Sequence, residues 1–239
     1  MDEAFVKVDA IARTFEGWLN PKERPLLYNL AKACKGRGVI AEIGSWKGNS
    51  TSYLGTGSKM GPNAKVYAID PHAQTYVHEM YSTKSTFETF KENIKKAGVE
   101  DIVVPIRAFS EEAAKTWDKP IELLWIDGDH SYKAAKLDFD LFFPFVIDGG
   151  VVAYHDATSG EVKQVIKERI FFSGNFADCD FVQSVAYARK VMRPLTLGEK
   201  SHNFYVYAKM QLIDLTRFLV PQAGRARVKT LAKKVFKRV

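Results

Sequence analysis

The side chains best suited to chemistry are concentrated in two short segments, Asp127-Gly128-Asp129-His130 and His155-Asp156. Each follows an apolar run, Ile121 to Ile126 and Val151 to Tyr154, so each stands where a strand ends. Two carboxylates that face one another at a pocket rim repel unless a cation, a proton or hydrogen-bond donors intervene. A hard divalent cation such as Mg²⁺ takes carboxylate, water and substrate oxygens as ligands. Asp127 with Asp156 reads as a site of this kind, whereas Asp129 reads as a cap for the helix beginning near Ser131. An imidazole with an ordinary pKa near about 6.5 can accept a proton at neutral pH. His130 and His155 bring such a group to each segment, where it can work as a general base or a ligand.

A third segment supplies the binding loop. Val39 to Ile43 is an apolar, β-branched run without period-2 alternation, the habit of a strand buried on both faces. It carries Glu42 near its end and runs into Gly44-Ser45-Trp46-Lys47-Gly48 and then Asn49-Ser50-Thr51, a cluster able to cap a helix. A phosphate-cradling loop needs four residues between its glycines and then Lys before Ser or Thr. Here three residues separate the glycines and Asn49 follows. The G-x-G-x-x-G dinucleotide fingerprint is also absent. Neither phosphate-binding pattern is met by the E-x-G-x-x-x-G spacing.

The elements that position these residues alternate regularly. Strands are expected at 39–43, 64–70, 102–106, 121–126 and 151–154, and helices at about 26–35, 87–97, 111–117, 131–146 and 161–170. Two β-rich stretches, 181–191 and 203–210, close the domain. Five β-α alternations require a mostly parallel, doubly wound sheet with helices on both faces. Ligands then bind beyond the carboxyl ends of the strands. Glu42, Asp70, Ser110, Asp127, His130, His155 and Asp156 all fall there. The loop 71–84 holds His72, Tyr76, His78 and Tyr81, which either contact an acceptor or decorate a solvated surface; His202 reads as structural. The chain divides into an N-terminal helical lid or support (1–37), a binding domain (38–213) and a basic tail (214–239).

Composition excludes several classes. The chain has 239 residues, and its apolar and charged fractions are those of an ordinary globular protein. The richest apolar run, Leu141 to Ile147, is too short to cross a bilayer, and the N-terminus does not read as a secretory signal. Cys34 and Cys179 lack C-x-x-C spacing, so a reducing, cytoplasmic setting is expected. The net charge is +7, yet eight of the 35 basic residues lie beyond Asp214 and none of the 28 acidic ones does. Residues 1–216 are thus one charge short of neutral, which argues against a nucleic-acid groove. In the tail, Val228, Leu231, Ala232, Val235 and Val239 keep helical spacing with Lys and Arg opposite. That pattern fits an anionic membrane surface, an acidic partner, or a helix packed on the domain or on a second copy in a homodimer.

The segments Gly17-Trp18-Leu19, Glu42 to Thr51, Ile126 to Tyr132 and Gly149 to Asp156 resemble, in order, the class I S-adenosylmethionine (SAM) methyltransferases of the methyltransferase family 24 type. That family is related to catechol-type and macrolide-sugar O-methyltransferases, and the resemblance spans roughly residues 15–210. It implies a seven-stranded Rossmann-like methyltransferase fold, with SAM as cofactor and a small-molecule or sugar-containing acceptor. On this resemblance Glu42, Gly44 and Gly48, with Ser45, Asn49 and Ser50 in the same loop, surround the methionine part of SAM. Asp70 holds the ribose, and Phe109 and Ser110 border the adenine. Asp127 faces the cofactor and, with His155 and Asp156, matches metal-ligand positions for a divalent ion such as Mg²⁺. His155 departs from the pattern, since several relatives carry a carboxylate there. His130 stands where those relatives place a lysine or histidine base. The alternatives are a metal-independent or N-methylating enzyme, or a non-catalytic nucleoside-binding scaffold.

Overall fold

The strand expected at 39–43 lies at the centre of a seven-stranded sheet. The computed structural model describes residues 2–73, 85–158 and 160–219, with side chains to residue 213. Strand β1 (Val39–Ile43) pairs in parallel with β2 (Val66–Ile69) on one side and β4 (Ile121–Ile126) on the other. Outside these lie β3 (Val103–Ile106) and β5 (Val146–Tyr154), also parallel to their neighbours. A hairpin of β6 (Phe176–Val182) and β7 (Val185–Lys190) completes the order β3-β2-β1-β4-β5-β7-β6, with β7 antiparallel to both neighbours. The chain reverses its direction of travel across the sheet between β1 and β4. A crevice opens at such a switch point.

Alternating side chains of the central strands feed two apolar layers. Leu123 and Trp125 of β4 point to one face, with Ile40, Ala68 and residues of α1 (Glu3–Ala12), α2 (Glu23–Ala33), α3 (Asn49–Lys59) and α4 (Thr86–Lys96). Leu124 and Ile126 point to the other face. There they meet α6 (Tyr132–Phe142) and α7 (Val162–Ile166), the latter extended by a π-turn over Lys167–Phe171. The short α5 (Ser110–Lys115) follows β3. All six residues of β4 are buried; five are apolar, and the sixth, Glu122, accepts the Lys35 and Arg37 amides at 2.7 and 2.9 Å. The doubly wound architecture is as the sequence implies. Among the described residues no helix is long and apolar enough to cross a membrane.

Two expectations change at the ends of the chain. Residues 203–210 are not a strand but part of a long helix, α8 (Leu197–Leu219). Asn203, Val206 and Met210 are buried at three- and four-residue spacing, so helical periodicity prevails over a locally apolar composition. The stretch 181–191 instead forms one arm of the hairpin together with the turn that precedes it. At the N-terminus Phe5 is buried as an anchor should be, whereas Ile11 is exposed and Trp18 keeps 66 % of its surface in solvent. Residues 76, 78 and 81 of the expected acceptor loop and the tail from 220 onward lie outside the described residues.

One glycine fixes the distance between the two halves of the crevice. Gly44 has φ +87°, and a Cβ there would lie 2.1 Å from the Asp127 carbonyl oxygen. The β1 turn thus packs directly on the backbone leaving β4. Gly44→Ala forces both a left-handed backbone on alanine and a collision with main chain. It should cost about 2–4 kcal/mol, read as a lowered urea midpoint with an unchanged m-value.

Candidate active site

A cleft of about 490 Å³ opens at the carboxyl ends of β1, β2 and β4, within the size range of cofactor pockets. Gly44, Ser45, Asn49 and Ser50 line its floor, and Asp70 lies at one side. Phe109 and Ser110 border one end, and Asp127 and His130 the other. These expected site residues therefore converge on one space. Glu42 and Gly48 do not reach it. Glu42 is fully buried beneath the loop and accepts hydrogen bonds from Ser50 Oγ at 2.5 Å and Thr51 Oγ1 at 2.6 Å. Gly48, at φ +80°, turns the chain into α3 and faces Phe90 and Ile94. Both residues shape the loop from behind.

The loop carries both satisfied and unsatisfied polar groups. Asp70 accepts the Trp46 amide at 2.9 Å on one oxygen and the His72 amide at 2.7 Å on the other. A carboxylate offers about four acceptor positions, so two remain for a ligand with adjacent hydroxyls. Ser45 Oγ lines the cleft, is buried and has no hydrogen-bond partner among the described residues. An orphaned hydroxyl in such a place calls for a polar ligand group. Asn49 turns its amide away, donating to the Ala12 carbonyl at 2.7 Å, and so ties the N-terminal segment to the loop. His72 is buried against Phe87 and Phe90, at 5.0 and 5.4 Å between rings, and burial lowers its pKa. Its role is packing.

At the other end lies the carboxylate–imidazole cluster. The ligand atoms of Asp127, His130 and Asp156 all lie within 4.8 Å of one another. His130 Nε2 is 3.7 Å from Asp127 and 3.4 Å from Asp156, and these carboxylates raise its pKa against the opposing effect of burial. His155 does not join the ligand set expected for it. Its Nδ1 lies 3.1 Å from Asp127 and 3.2 Å from Asp156, while Nε2 lies 3.4 Å from Glu23. Burial opposes its charge, yet hydrogen bonds to Asp127, Asp156 and Glu23 push its pKa up to about 12. A buried imidazolium is a counter-ion, and both its nitrogens already serve carboxylates. Asp129 accepts the Ser131 amide at 2.8 Å, but the cap expected of it is Ser131, whose hydroxyl accepts the Ala134 amide at 3.3 Å.

Three further groups were not singled out in the sequence. Glu23 is fully buried and takes donors from Ser184, Asn20 and His155. Burial alone would raise its pKa, but His155 and Ser184 lead the donors that bring it to about 2. The spacing Asn20-Pro21-Lys22-Glu23 is that of a capping box and is the one local signal of this role. Asp138 lines the cleft beside Ser110, with its pKa raised to about 6 by burial. A carboxylate on the apolar face of α6, between Ala135 and Phe139, is the corresponding clue. Finally, Trp18 and Trp46 stack at the cleft mouth, 4.6 Å between ring centres.

Comparison with known proteins bears on the domain and its fold. Residues 41–157 match the family model of a methyltransferase domain, methyltransferase family 24. An uncharacterized protein of Acanthamoeba polyphaga mimivirus is 28% identical over 158 residues, covering 64% of this chain and 64% of that protein, just under two thirds of its length. Among solved structures, the O-methyltransferase NovP superposes with a TM-score of 0.65 at 14% identity, over 79% of this chain and 98% of its own. The O-methyltransferase TomG from Streptomyces achromogenes, solved in complex with SAM, gives 0.56 at 18% identity, over 80% of this chain and 91% of its own. These structural likenesses concern the fold.

Glu42 gives a test of the loop's foundation. Burial pushes its carboxyl up to about 8 against an unfolded value of 4.5. Between those values the folded chain holds a proton that the unfolded chain has released. The fold therefore weakens as pH rises, by up to about 1.4 kcal/mol per pH unit, and levels off above the folded pKa. Glu42→Gln cannot titrate, so the stability of wild type relative to this variant should fall between pH 5 and 8. Urea unfolding across that range checks it, and parallel curves for the two proteins would show that Glu42 is already ionised.

Proposed function

We propose that this chain, whose residues 41–157 match the methyltransferase family 24 model, is a SAM-dependent O-methyltransferase acting on a small-molecule or sugar-containing acceptor. One observation carries the reading: the His130 ring lines the same cleft as Gly44, Ser45 and Asp70, with Asp127 at that end of it. In this reading Ser45 and the Gly44 turn receive the methionine part of SAM, and Asp70 the ribose hydroxyls. Phe109 and Ser110 bound the adenine, with Asp138 beside them. Methyl transfer from a sulfonium proceeds in line, so the chain's main task is alignment. The sulfonium charge is lost as the methyl leaves. The acceptor hydroxyl gives up its proton, and His130 Nε2 is the group placed to take it.

The donor set of Asp127 and Asp156, with His130 beside them, fits a hard divalent cation that keeps open positions for water and acceptor oxygens. Held by the two carboxylates, such an ion would lower the pKa of the acceptor hydroxyl and offset the field that raises the His130 pKa. A metal-independent version has its own observation: the His155 imidazolium already pairs with the same two carboxylates. In that version Asp127 faces the sulfonium, and His130 orients the acceptor.

Methyl transfer from SAM to a panel of hydroxylated acceptors, with and without Mg²⁺, tests the reaction. Activity lost on chelation and restored by Mg²⁺ supports the metal, and full activity after chelation establishes the second version. His130→Ala should lower kcat by about 10²- to 10⁴-fold while SAM affinity by calorimetry stays unchanged. Equal turnover by the variant would remove His130 from the chemistry.

A further inference from the structure

Helix α8 has two apolar faces, and among the described residues only one is covered. Asn203, Val206 and Met210 pack inward, with Asn203 donating to the Phe176 carbonyl at 2.7 Å. On the opposite side Leu197 is 83 % exposed, Phe204 61 % and Leu212 42 %. At about 100° per residue these three fall within one sector of about 80°. Exposed Ser201 and Ala208 lie between them, small enough to leave the stripe continuous. Met192, 77 % exposed, stands just ahead of the helix. Lys200 and Lys209 border the sector on its two sides. Apolar positions at Leu215 and Leu219 keep the same spacing in the sequence.

Charge at the C-terminal end of this helix and beyond it decides among occupants. From Arg217 to Arg238 the sequence carries eight basic residues and no acidic one. Two copies of the chain meeting along α8 would bring two such segments together and repel. An acidic protein partner would satisfy the charge but leave the apolar stripe without a reason. A bilayer with anionic headgroups satisfies both, since an interfacial helix needs an apolar face and flanking cations. Neither signal suffices by itself, because one weak anchor gives only marginal, reversible attachment. Each Lys or Arg near an anionic surface adds about 1 kcal/mol.

We propose that the exposed face of α8, with the basic segment after it, docks on an anionic lipid surface and holds the enzyme at the membrane without crossing it. The cleft lies at the carboxyl ends of the strands, and α8 packs against β6 at the sheet's edge. Docking would thus leave the cleft open. The full-length chain should co-sediment with phosphatidylcholine vesicles containing phosphatidylserine, not with pure phosphatidylcholine, and high salt should release it. The triple variant L197S/F204S/L212S changes only solvent-facing positions. It should fold with an unchanged circular dichroism spectrum and partition at least about tenfold more weakly. Lys200→Glu with Lys209→Glu should weaken binding as well. Wild type that ignores anionic vesicles overturns the proposal, as does a triple variant that binds equally well. Sedimentation of wild type as a dimer and of the triple variant as a monomer, with no vesicle binding by either, overturns it in favour of a second copy.

Discussion

A single buried imidazolium holds the catalytic end of this molecule together. His155 leaves the end of β5 and meets Asp127 from β4, Asp156 from its own turn and Glu23 from α2. Glu23 in turn binds the backbone and hydroxyl of Ser184 in the hairpin turn between β6 and β7. Four separate parts of the chain are thereby tied through one ring. Three carboxylates so close together would be untenable without a cation among them, because removing one partner leaves uncompensated buried charge. The cluster remains net negative even so, and it faces a cleft proposed to receive a positively charged sulfonium. Such a field favours the charged cofactor over its neutral demethylated product. That preference is what turnover needs.

The opposite end of the cleft rests on a different device. Glu42 is buried among hydroxyls rather than cations, and its raised pKa keeps it protonated at neutral pH. As a neutral acid it braces Ser50 and Thr51 at the start of α3 without adding another negative charge beside Asp70 and Asp127. The two ends then meet through main chain, where Gly44 allows the β1 turn to touch the Asp127 carbonyl. Side-chain flexibility cannot lengthen that contact. The distance between the Gly44 loop and the Asp127–His130 end of the cleft is therefore a property of the backbone.

How much of this could be read from the sequence depends on the range of each interaction. The strand ends were legible because apolar runs and their polar terminators are local patterns. A doubly wound sheet then gathers those ends wherever they fall in sequence. Gly44, Asp70, Asp127 and His130 were found in this way. Residues 203–210 were misread because a short apolar composition fits both periodicities, and the deciding contacts come from Phe176 and its strand. The role of His155 was out of reach for another reason. Its defining partner, Glu23, is 132 residues away in sequence, and no local pattern announces which face of a turn an imidazole will take. Asp138 and Glu23 did carry signals, a charge on an apolar helix face and a capping-box spacing. Both signals suggest a structural role more readily than a site.

The N-terminal helices belong to the site as much as the sheet does. Glu23 supplies a counter-charge to His155, Ala12 accepts the Asn49 amide, and Trp18 stacks on Trp46 at the cleft mouth. Lys47 Nζ lies 4.2 Å from the centre of the Trp46 ring and pairs with Glu16 at 2.7 Å, which ties the stack to the N-terminal segment a second time. The segment therefore cannot swing away without exposing a carboxylate, an amide and two indoles together. Its position relative to the cofactor loop is set by the same contacts that complete the charge cluster. Trp18 and Leu19 reach the cleft from this segment, and the same contacts hold them in a fixed place there.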